Sequence, residues 1–365
     1  MRTKTHPTPL LILCLLLTTT SAIAQDGTIV RETVYSPSLE GNLLGDSPNR
    51  QVTIYLPPSY DDGLDMAYPV VYLLHGYTSN NKAWTGGYAG NVLYSMRSWL
   101  KSSKVKETIL VMPNSYNRFW GSWYTNSTAT GNWADYIARD LVQHIDSNYR
   151  TLPQRESRGV IGHSMGGHGG MKIGMLYPDV FSCMGGLAGW YYDTSPKSSA
   201  YYEANVKDWA QYNSLGGSAK MMFAVWAAFC PNPDKPPFYC DFPYIYDDNK
   251  KIIENPDAYD RYMQNDIRNM VDNHVHALLN MRAIFIDCGT GDGLIGHART
   301  IHSKLNSLGV DHVYKEFSGD HTCCVNASTG EALEVFSNAM AFEMLVGVEP
   351  AGKLATTWAE MRRAQ

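Results

Sequence analysis

A chain of 365 residues with 35 acidic and 30 basic side chains carries a formal charge of −5 at pH 7. No basic cluster accompanies this slightly acidic balance, which argues against nucleic acid or an anionic membrane surface as a partner. The length exceeds that of an average domain but suits one large α/β domain that carries an insertion.

The amino terminus has the pattern of a secretory signal peptide. Arg2 and Lys4 precede an apolar stretch at residues 9–17, and the small side chains within residues 22–24 follow at the spacing of a cleavage site. The apolar stretch is shorter than the roughly 20 residues that a transmembrane helix needs. We therefore expect residues 1–24 to be removed and residues 25–365 to form one secreted or periplasmic domain without a membrane anchor.

Short apolar segments along the chain predict strands, and amphipathic segments between several of them predict helices. The middle segments are almost continuously apolar, which is typical of strands buried on both faces of a parallel sheet. The predicted strands are residues 29–35, 51–56, 69–74, 108–112, 158–161, 183–187, 282–287 and 312–317, and the clearest helices are residues 133–148 and 298–308. This alternation predicts an α/β fold with an eight-stranded, mostly parallel sheet, helices on both faces and an antiparallel edge formed by the first two strands.

Residues 190–276 interrupt the alternation of strands and helices. This stretch is rich in aromatic residues and proline, and long excursions between core strands are usually functional, so we predict an inserted cap. Cys230 and Cys240 bracket a proline-rich loop inside it. An exported protein permits a disulfide between them, although two reduced, buried thiols are the alternative interpretation.

The sequence GHSMGG at residues 162–167 follows a predicted buried strand. A G-x-S-x-G sequence between a strand and a helix raises a serine hydroxyl on a sharp turn, which makes Ser164 a candidate nucleophile. Such a turn also occurs by chance, so the assignment needs a base, an acid that orients the base, and donors for an oxyanion.

Candidates for the base and the acid follow the last two predicted strands. His321 lies in the loop after the final strand, and Asp292 lies in the loop after the strand before it. Both are expected at the carboxyl edge of the sheet, where Ser164 emerges, and the chain order serine, aspartate, histidine is that of α/β-hydrolases. Asp287 is a competing acid, but its place within a strand favours a structural role.

The oxyanion donors are predicted to be two backbone amides. One is the amide of Met165, which follows the candidate nucleophile, and the other is that of Tyr77 in the loop after the strand 69–74. Other histidines have simpler interpretations: His163 packs or bonds locally, His75 is a structural loop residue, and His297 is a solvated or capping residue on a predicted helix.

Aromatic side chains are concentrated where a substrate could lie. Trp84, Trp123, Tyr124 and Trp190 are candidate substrate-binding residues, and a cleft lined by them would suit an aromatic acyl group or the face of a sugar. The alternative is that these side chains pack the cap against the sheet.

Together these motifs resemble the Putative esterase family of α/β-hydrolases, which includes feruloyl esterases, S-formylglutathione hydrolases and the mycobacterial mycolyltransferases. The resemblance rests on LHGY at residues 74–77, YRTL at residues 149–152, the serine motif, and the loops of Asp292 and His321. It implies the α/β-hydrolase fold from about residue 29 to residue 345.

By position, the resemblance assigns Ser164, Asp292 and His321 to the catalytic triad and the amides of Tyr77 and Met165 to the oxyanion hole, with no cofactor and no metal. We expect a secreted serine carboxylic ester hydrolase that forms an acyl-enzyme on a small-molecule or polysaccharide-linked ester, such as a feruloyl or acetyl ester. The alternatives are an acyltransferase of the mycolyltransferase kind, with a sugar hydroxyl as acceptor, and a non-catalytic carbohydrate-binding protein on the same scaffold.

Overall fold

The computed structural model describes residues 26–62 and 66–345. The predicted signal peptide, residues 1–24, lies outside the described residues. Within the described residues, no helix combines the length and the apolar character needed to cross a membrane.

A single eight-stranded sheet forms the centre of the protein. Its strands are β1 (Thr28–Tyr35), β2 (Asn49–Leu56), β3 (Val70–Leu74), β4 (Ile109–Pro113), β5 (Arg158–His163), β6 (Cys183–Leu187), β7 (Ala283–Gly289) and β8 (Val313–Phe317). Each corresponds to a predicted strand, and no end differs from its predicted position by more than two residues. The apolar patterning of the chain therefore identified every strand of this sheet.

The strand order across the sheet is β1-β2-β4-β3-β5-β6-β7-β8. β2 pairs antiparallel with both β1 and β4, and every other pairing is parallel. The predicted fold class and its antiparallel edge are thus confirmed. Because the parallel strands run in one direction, the loops after β3, β5, β7 and β8 all leave the sheet at the same edge.

The helices cover both faces of the sheet. They are α1 (Val92–Lys101), α2 (Trp133–Asp135), α3 (Val142–Asn148), α4 (Met165–Leu176), α5 (Ser199–Asn205), α6 (Trp209–Ser214), α7 (Gly217–Phe229), α8 (Pro256–Met263), α9 (Ile267–Asn273), α10 (Val275–Leu279), α11 (Ile295–Ser307) and α12 (Val325–Ala339). A single wide turn of π-helix, Tyr136–Leu141, joins α2 to α3, so the helix predicted over residues 133–148 is continuous.

Alternation along β3 shows how the two layers of core arise. Val70, Tyr72 and Leu74 pack with the apolar side chains of α3, α4 and α11, whereas Val71 and Leu73 pack with those of α1 and α12. Successive side chains of a strand point to opposite faces, so a fully apolar strand requires a helical layer on each side.

The residues between β6 and β7 form α5 to α10 and a small hairpin, Tyr244–Tyr246 with Ile252–Glu254. Aromatic contacts join this insertion to the loop after β4. The ring centroid of Phe119 lies 5.2 Å from that of Trp209 and 6.5 Å from that of Phe238. The predicted interruption of the α/β pattern therefore corresponds to a helical insertion that packs on the carboxyl side of the sheet.

The hypothesis of a Cys230–Cys240 disulfide is wrong, because both residues are free, buried thiols. The loop between them is closed by main-chain hydrogen bonds, including one from the amide of Asp241 to the carbonyl of Cys230. The thiol of Cys230 instead donates to the carbonyl of Ala258, at 3.2 Å. The proline-rich loop is thus held by its backbone and needs no covalent bridge.

Candidate active site

Ser164 lies on a strained turn between β5 and α4. Its φ of +59° and ψ of −114° are unfavourable for a residue with a side chain, and such strain is typical of functional positions. The neighbouring glycines make the turn possible: a Cβ at Gly166 would lie 1.9 Å from the carbonyl oxygen of Leu74, and one at Gly162 would lie 2.4 Å from the same atom. The small residues of the motif are therefore required by close contact with β3.

The three candidate triad residues meet at the carboxyl edge of the sheet. His321 Nε2 lies 2.9 Å from Ser164 Oγ, and His321 Nδ1 lies 2.7 Å from Asp292 Oδ2. The serine follows β5, the aspartate follows β7 and the histidine follows β8, so three separate loops bring them together. The side chain of His321 is 37% exposed, which leaves the relay open to solvent on one side.

Asp292 is held so that one oxygen faces the histidine. Its Oδ1 accepts the amide of Leu294 at 2.9 Å, and its Oδ2 also receives the thiol of Cys288 at 3.5 Å. Burial alone would raise the pKa of Asp292, but the hydrogen bonds from His321 and Leu294 outweigh burial and hold the pKa below its ordinary value. The ionised carboxylate can only accept, so His321 carries its proton on Nδ1 and presents a lone pair on Nε2 to the serine.

Two backbone amides are candidates to receive an oxyanion. Met165 is the first residue of α4, and the first amides of a helix have no partner within it. The amides on either side of Tyr77 are occupied, since Gly76 donates to the hydroxyl of Tyr88 and Thr78 to the carbonyl of Trp120. Within the described residues, the Tyr77 amide makes no hydrogen bond to another backbone group.

Asp287, the competing acid, makes no hydrogen bond to His321 within the described residues. It lies inside β7 with 1% of its surface exposed, and its Oδ1 has no hydrogen-bond partner among the described residues. Burial raises its pKa to about 7. The geometry therefore favours Asp292 as the partner of His321.

The four candidate substrate-binding aromatics do not line an open cleft. Trp84, Trp123 and Tyr124 are at most 1% exposed, and Trp190 is 9% exposed. Trp84 lies in the core layer beside α12, where its indole nitrogen donates to Thr329 at 3.1 Å. Their burial contradicts a direct contact with substrate in this conformation and agrees with the alternative, that these rings pack the layers of the protein together.

Two histidines have roles that differ from those inferred from sequence. His297 is neither solvated nor a cap: its Nδ1 accepts the amide of Tyr191 at 3.1 Å and its ring stacks on Tyr192. His163 does not bond locally, because its Nε2 donates to the carbonyl of His321 at 2.7 Å. Only its place directly before Ser164 hinted that it could lie near the site. His75 is structural as expected, since its Nε2 accepts the amide of Ser115 at 2.9 Å.

A disulfide joins the adjacent residues Cys323 and Cys324, just after His321. No pattern in the sequence predicted a bridge between these two residues. Among the described residues, no cluster of three or more His, Cys, Asp or Glu side chains is arranged to hold a metal ion.

The comparison with known protein families identifies the family of this chain. Residues 47–323 match the family model described as "Putative esterase". The chain belongs to this family. The matched segment contains the serine turn, the Asp292 loop and the His321 loop; it begins two residues before β2 and ends shortly after β8.

Among curated relatives, a protein of Mycobacterium tuberculosis named as an esterase is 28% identical over 196 residues, which are 52% of this chain and 39% of that protein. An endo-1,4-beta-xylanase/feruloyl esterase of Xylanibacter ruminicola is 28% identical over 143 residues, which are 38% of this chain and 19% of that protein. The matches thus span less than half the length of both relatives.

Solved structures show the same fold. A ferulic acid esterase is 19% identical, with a TM-score of 0.63 over 87% of this chain and 100% of that chain. A ferulic acid esterase of Anaeromyces mucronatus, solved in complex with ferulic acid, is 20% identical, with a TM-score of 0.51 over 88% of this chain and 92% of that chain. Both are α/β-hydrolase esterases, which confirms the predicted fold.

Proposed function

We propose that this protein is a serine carboxylic ester hydrolase with Ser164 as its nucleophile, His321 as its base and Asp292 as the acid that orients the base. The observation that carries the proposal is the relay of hydrogen bonds, 2.9 Å from Ser164 to His321 and 2.7 Å from His321 to Asp292. Membership of an esterase family supports it.

The geometry supports a two-step reaction. As Ser164 Oγ bonds to the ester carbonyl carbon, its proton passes to His321 Nε2, and Asp292 stabilises the imidazolium that forms. The negative charge on the carbonyl oxygen is met by the amides of Met165 and Tyr77. His321 then gives the proton to the leaving alcohol oxygen, and the acyl group remains on the serine until a water, deprotonated by the same histidine, releases it as a carboxylic acid.

We further propose that the substrate is an ester of a plant cell-wall type, with a feruloyl or acetyl group on a carbohydrate. The names of the relatives support the feruloyl alternative, since a xylanase/feruloyl esterase and two ferulic acid esterases are among them. The signal-peptide pattern at residues 1–24 supports action outside the cytoplasm, and the helical insertion between β6 and β7 would serve as the cap over the substrate.

Hydrolysis of p-nitrophenyl acetate and of methyl ferulate by the purified protein tests this proposal. The variants Ser164→Ala and His321→Ala should each lose at least about 10³-fold in kcat while unfolding at the wild-type temperature. Ser303→Ala and His276→Ala are matched controls and should keep the wild-type rate, because both residues are exposed and, within the described residues, neither hydrogen-bonds to a member of the relay.

Two results would contradict the proposal. An inert wild-type protein that also fails to react with a fluorophosphonate would show that the relay is not catalytic. Transfer of the acyl group to added sugar with negligible hydrolysis would instead make the protein an acyltransferase.

A further inference from the structure

His163 is a buried, titratable group that the proposed acyl transfer does not use. It is the last residue of β5, it directly precedes Ser164, and it is 2% exposed. Its ring lies between two others, with centroid distances of 4.6 Å to His321 and 5.2 Å to Tyr88. A polar side chain at this depth needs hydrogen-bond partners, and the partners of His163 belong to the active-site loops.

The hydrogen bonds of His163 determine its tautomer. Its Nε2 lies 2.7 Å from the carbonyl oxygen of His321, which can only accept, so Nε2 carries the proton. Its Nδ1 lies 3.3 Å from the hydroxyl of Tyr88. That hydroxyl accepts the amide of Gly76 at 2.9 Å, which leaves its own proton for Nδ1. His163 is therefore a neutral imidazole with one donor and one acceptor, each engaged.

This chain of hydrogen bonds connects three loops of the site. It runs from the amide of Gly76, directly before Tyr77, through Tyr88 and His163 to the carbonyl of His321. Tyr88 is 37% exposed overall, but its hydroxyl points inward between the two groups that it joins. One end of the chain therefore acts on the loop of the proposed oxyanion donor, and the other end acts on the main chain of the proposed base.

The loop of His321 needs such an anchor. It leaves β8, the strand at the edge of the sheet, and the side chain of His321 is 37% exposed. The hydrogen bond from His163 holds the main chain of the base itself, and the neighbouring ring limits how the His321 imidazole can rotate. A neutral neighbour also leaves the imidazolium free of charge repulsion during acyl transfer, and burial together with His321 lowers the pKa of His163 to about 3.

We propose that His163 is a positioning residue that holds His321 in line with Ser164 and, through Tyr88, couples the base to the oxyanion loop. This inference rests on the function proposed above for Ser164, His321 and Asp292. Because the base takes up a proton only in the chemical step, its misplacement should lower kcat and leave KM unchanged. A displacement of about 1 Å can cost about 100-fold in rate.

The test compares substitutions of His163 that keep or remove the donor to His321. His163→Gln places an amide nitrogen near the position of Nε2, so kcat should stay within about three-fold of wild type. His163→Asn is too short to reach the carbonyl, and His163→Leu has no donor, so both should lower kcat by about 10- to 100-fold with KM within about two-fold. His144→Asn, at a half-buried histidine paired with Glu32 elsewhere on the protein, is the control and should not change kcat.

Tyr88→Phe tests the hydrogen bond between Tyr88 and His163. Tyr68→Phe is its control, because the hydroxyl of Tyr68 is also hydrogen-bonded, to Ser59, but lies before β3, at the opposite edge of the sheet from the site. Tyr88→Phe should lower kcat by about 3- to 10-fold, and the double variant with His163→Leu should be no slower than His163→Leu alone, since both changes break one chain. Additive losses would overturn the coupling through Tyr88.

The outcomes separate this inference from the proposed function. If the wild-type protein hydrolyses esters and Ser164→Ala does not, the proposed function stands. The role of His163 alone is then overturned if His163→Leu keeps the wild-type kcat, or if His163→Gln loses as much kcat as His163→Asn. If His163→Leu does not fold, the comparison of Gln with Asn still decides. Nitrogen NMR of the wild-type imidazole provides a readout independent of activity: a proton on Nδ1 would also overturn the inference.

Discussion

Replacement of Asp292 by asparagine should lower kcat by about 10³- to 10⁴-fold, and the structure shows why so small a change has so large an effect. Oδ1 of Asp292 accepts the amide of Leu294 at 2.9 Å, and that amide can only donate. An asparagine would therefore keep its carbonyl oxygen on Leu294 and turn its NH₂ group toward His321 Nδ1. The histidine would then accept at Nδ1, carry its proton on Nε2 and be unable to take the proton of Ser164.

The magnitude follows from two losses. The opposite orientation of the asparagine would set its NH₂ group against the Leu294 amide and leave both donors unpaired, at a cost of about 1–3 kcal/mol, or about 5- to 150-fold in the population of the competent tautomer. The asparagine also lacks the negative charge that stabilises the imidazolium. Together the two losses come close to the decrease in kcat of about 10⁴-fold, or about 5.5 kcal/mol, that the same change causes in a serine protease triad.

Ester hydrolysis under saturating substrate is the assay, and Asp287→Asn is the matched control. Asp287 lies five positions earlier in the same strand and loop, but none of the hydrogen bonds of the relay side chains involves it. Its replacement should therefore leave kcat per folded molecule near the wild-type value. A rate within about ten-fold of wild type for Asp292→Asn would refute the tautomer argument. A large loss in Asp287→Asn alone would show that the acid had been assigned to the wrong residue.

Two further predictions concern stability. Burial raises the pKa of Asp287 from 3.8 to about 7, so between these pH values the folded protein holds a proton that the unfolded chain releases, and stability falls as pH rises. Asp287→Asn should remove this pH dependence and gain up to about 4 kcal/mol over wild type between pH 4 and pH 7.5, measured by urea unfolding. Parallel curves of stability against pH for the two proteins would contradict the assignment. Gly166→Ala should lower the free energy of unfolding by about 3 kcal/mol or more, because the new methyl group would meet main-chain atoms of Leu74. Gly296→Ala is the control: it also lies at the second position of a helix, but the space around it is open, so the change should be neutral or stabilising by up to about 1 kcal/mol. Equal unfolding free energies for the two variants would refute the close-contact argument.

Much of the architecture could be predicted because it depends on local patterns. A strand buried on both faces needs apolar side chains at every position, as in β3, and a sharp turn against a neighbouring strand needs glycine, as at Gly162 and Gly166. The direction of parallel strands then places the loops of Ser164, Asp292 and His321 at one edge. For these residues, sequence spacing and chain order carry the spatial information.

The aromatic residues show where such reasoning fails. Trp84 and Trp123 follow strands at the same edge as the site, yet both are buried in the core. Whether a ring lies in a cleft or in a core depends on what packs over it, and that is set by residues distant in the chain, such as Thr329 beneath Trp84. The hypothesis of a Cys230–Cys240 disulfide was wrong for a similar reason, because proximity in sequence does not determine which way each thiol points.

The chain of Gly76, Tyr88, His163 and His321 was decided by tertiary structure alone. A histidine beside a nucleophile has no pattern that distinguishes a local contact from a hydrogen bond to a loop 158 positions away. Periodicity and motif spacing determined the strands, the turn at Ser164 and the order of the acid and base, because backbone geometry is local. The partners of each polar side chain were determined only when the strands assembled, because a hydrogen bond depends on distances of a few tenths of an ångström between groups that the sequence does not relate.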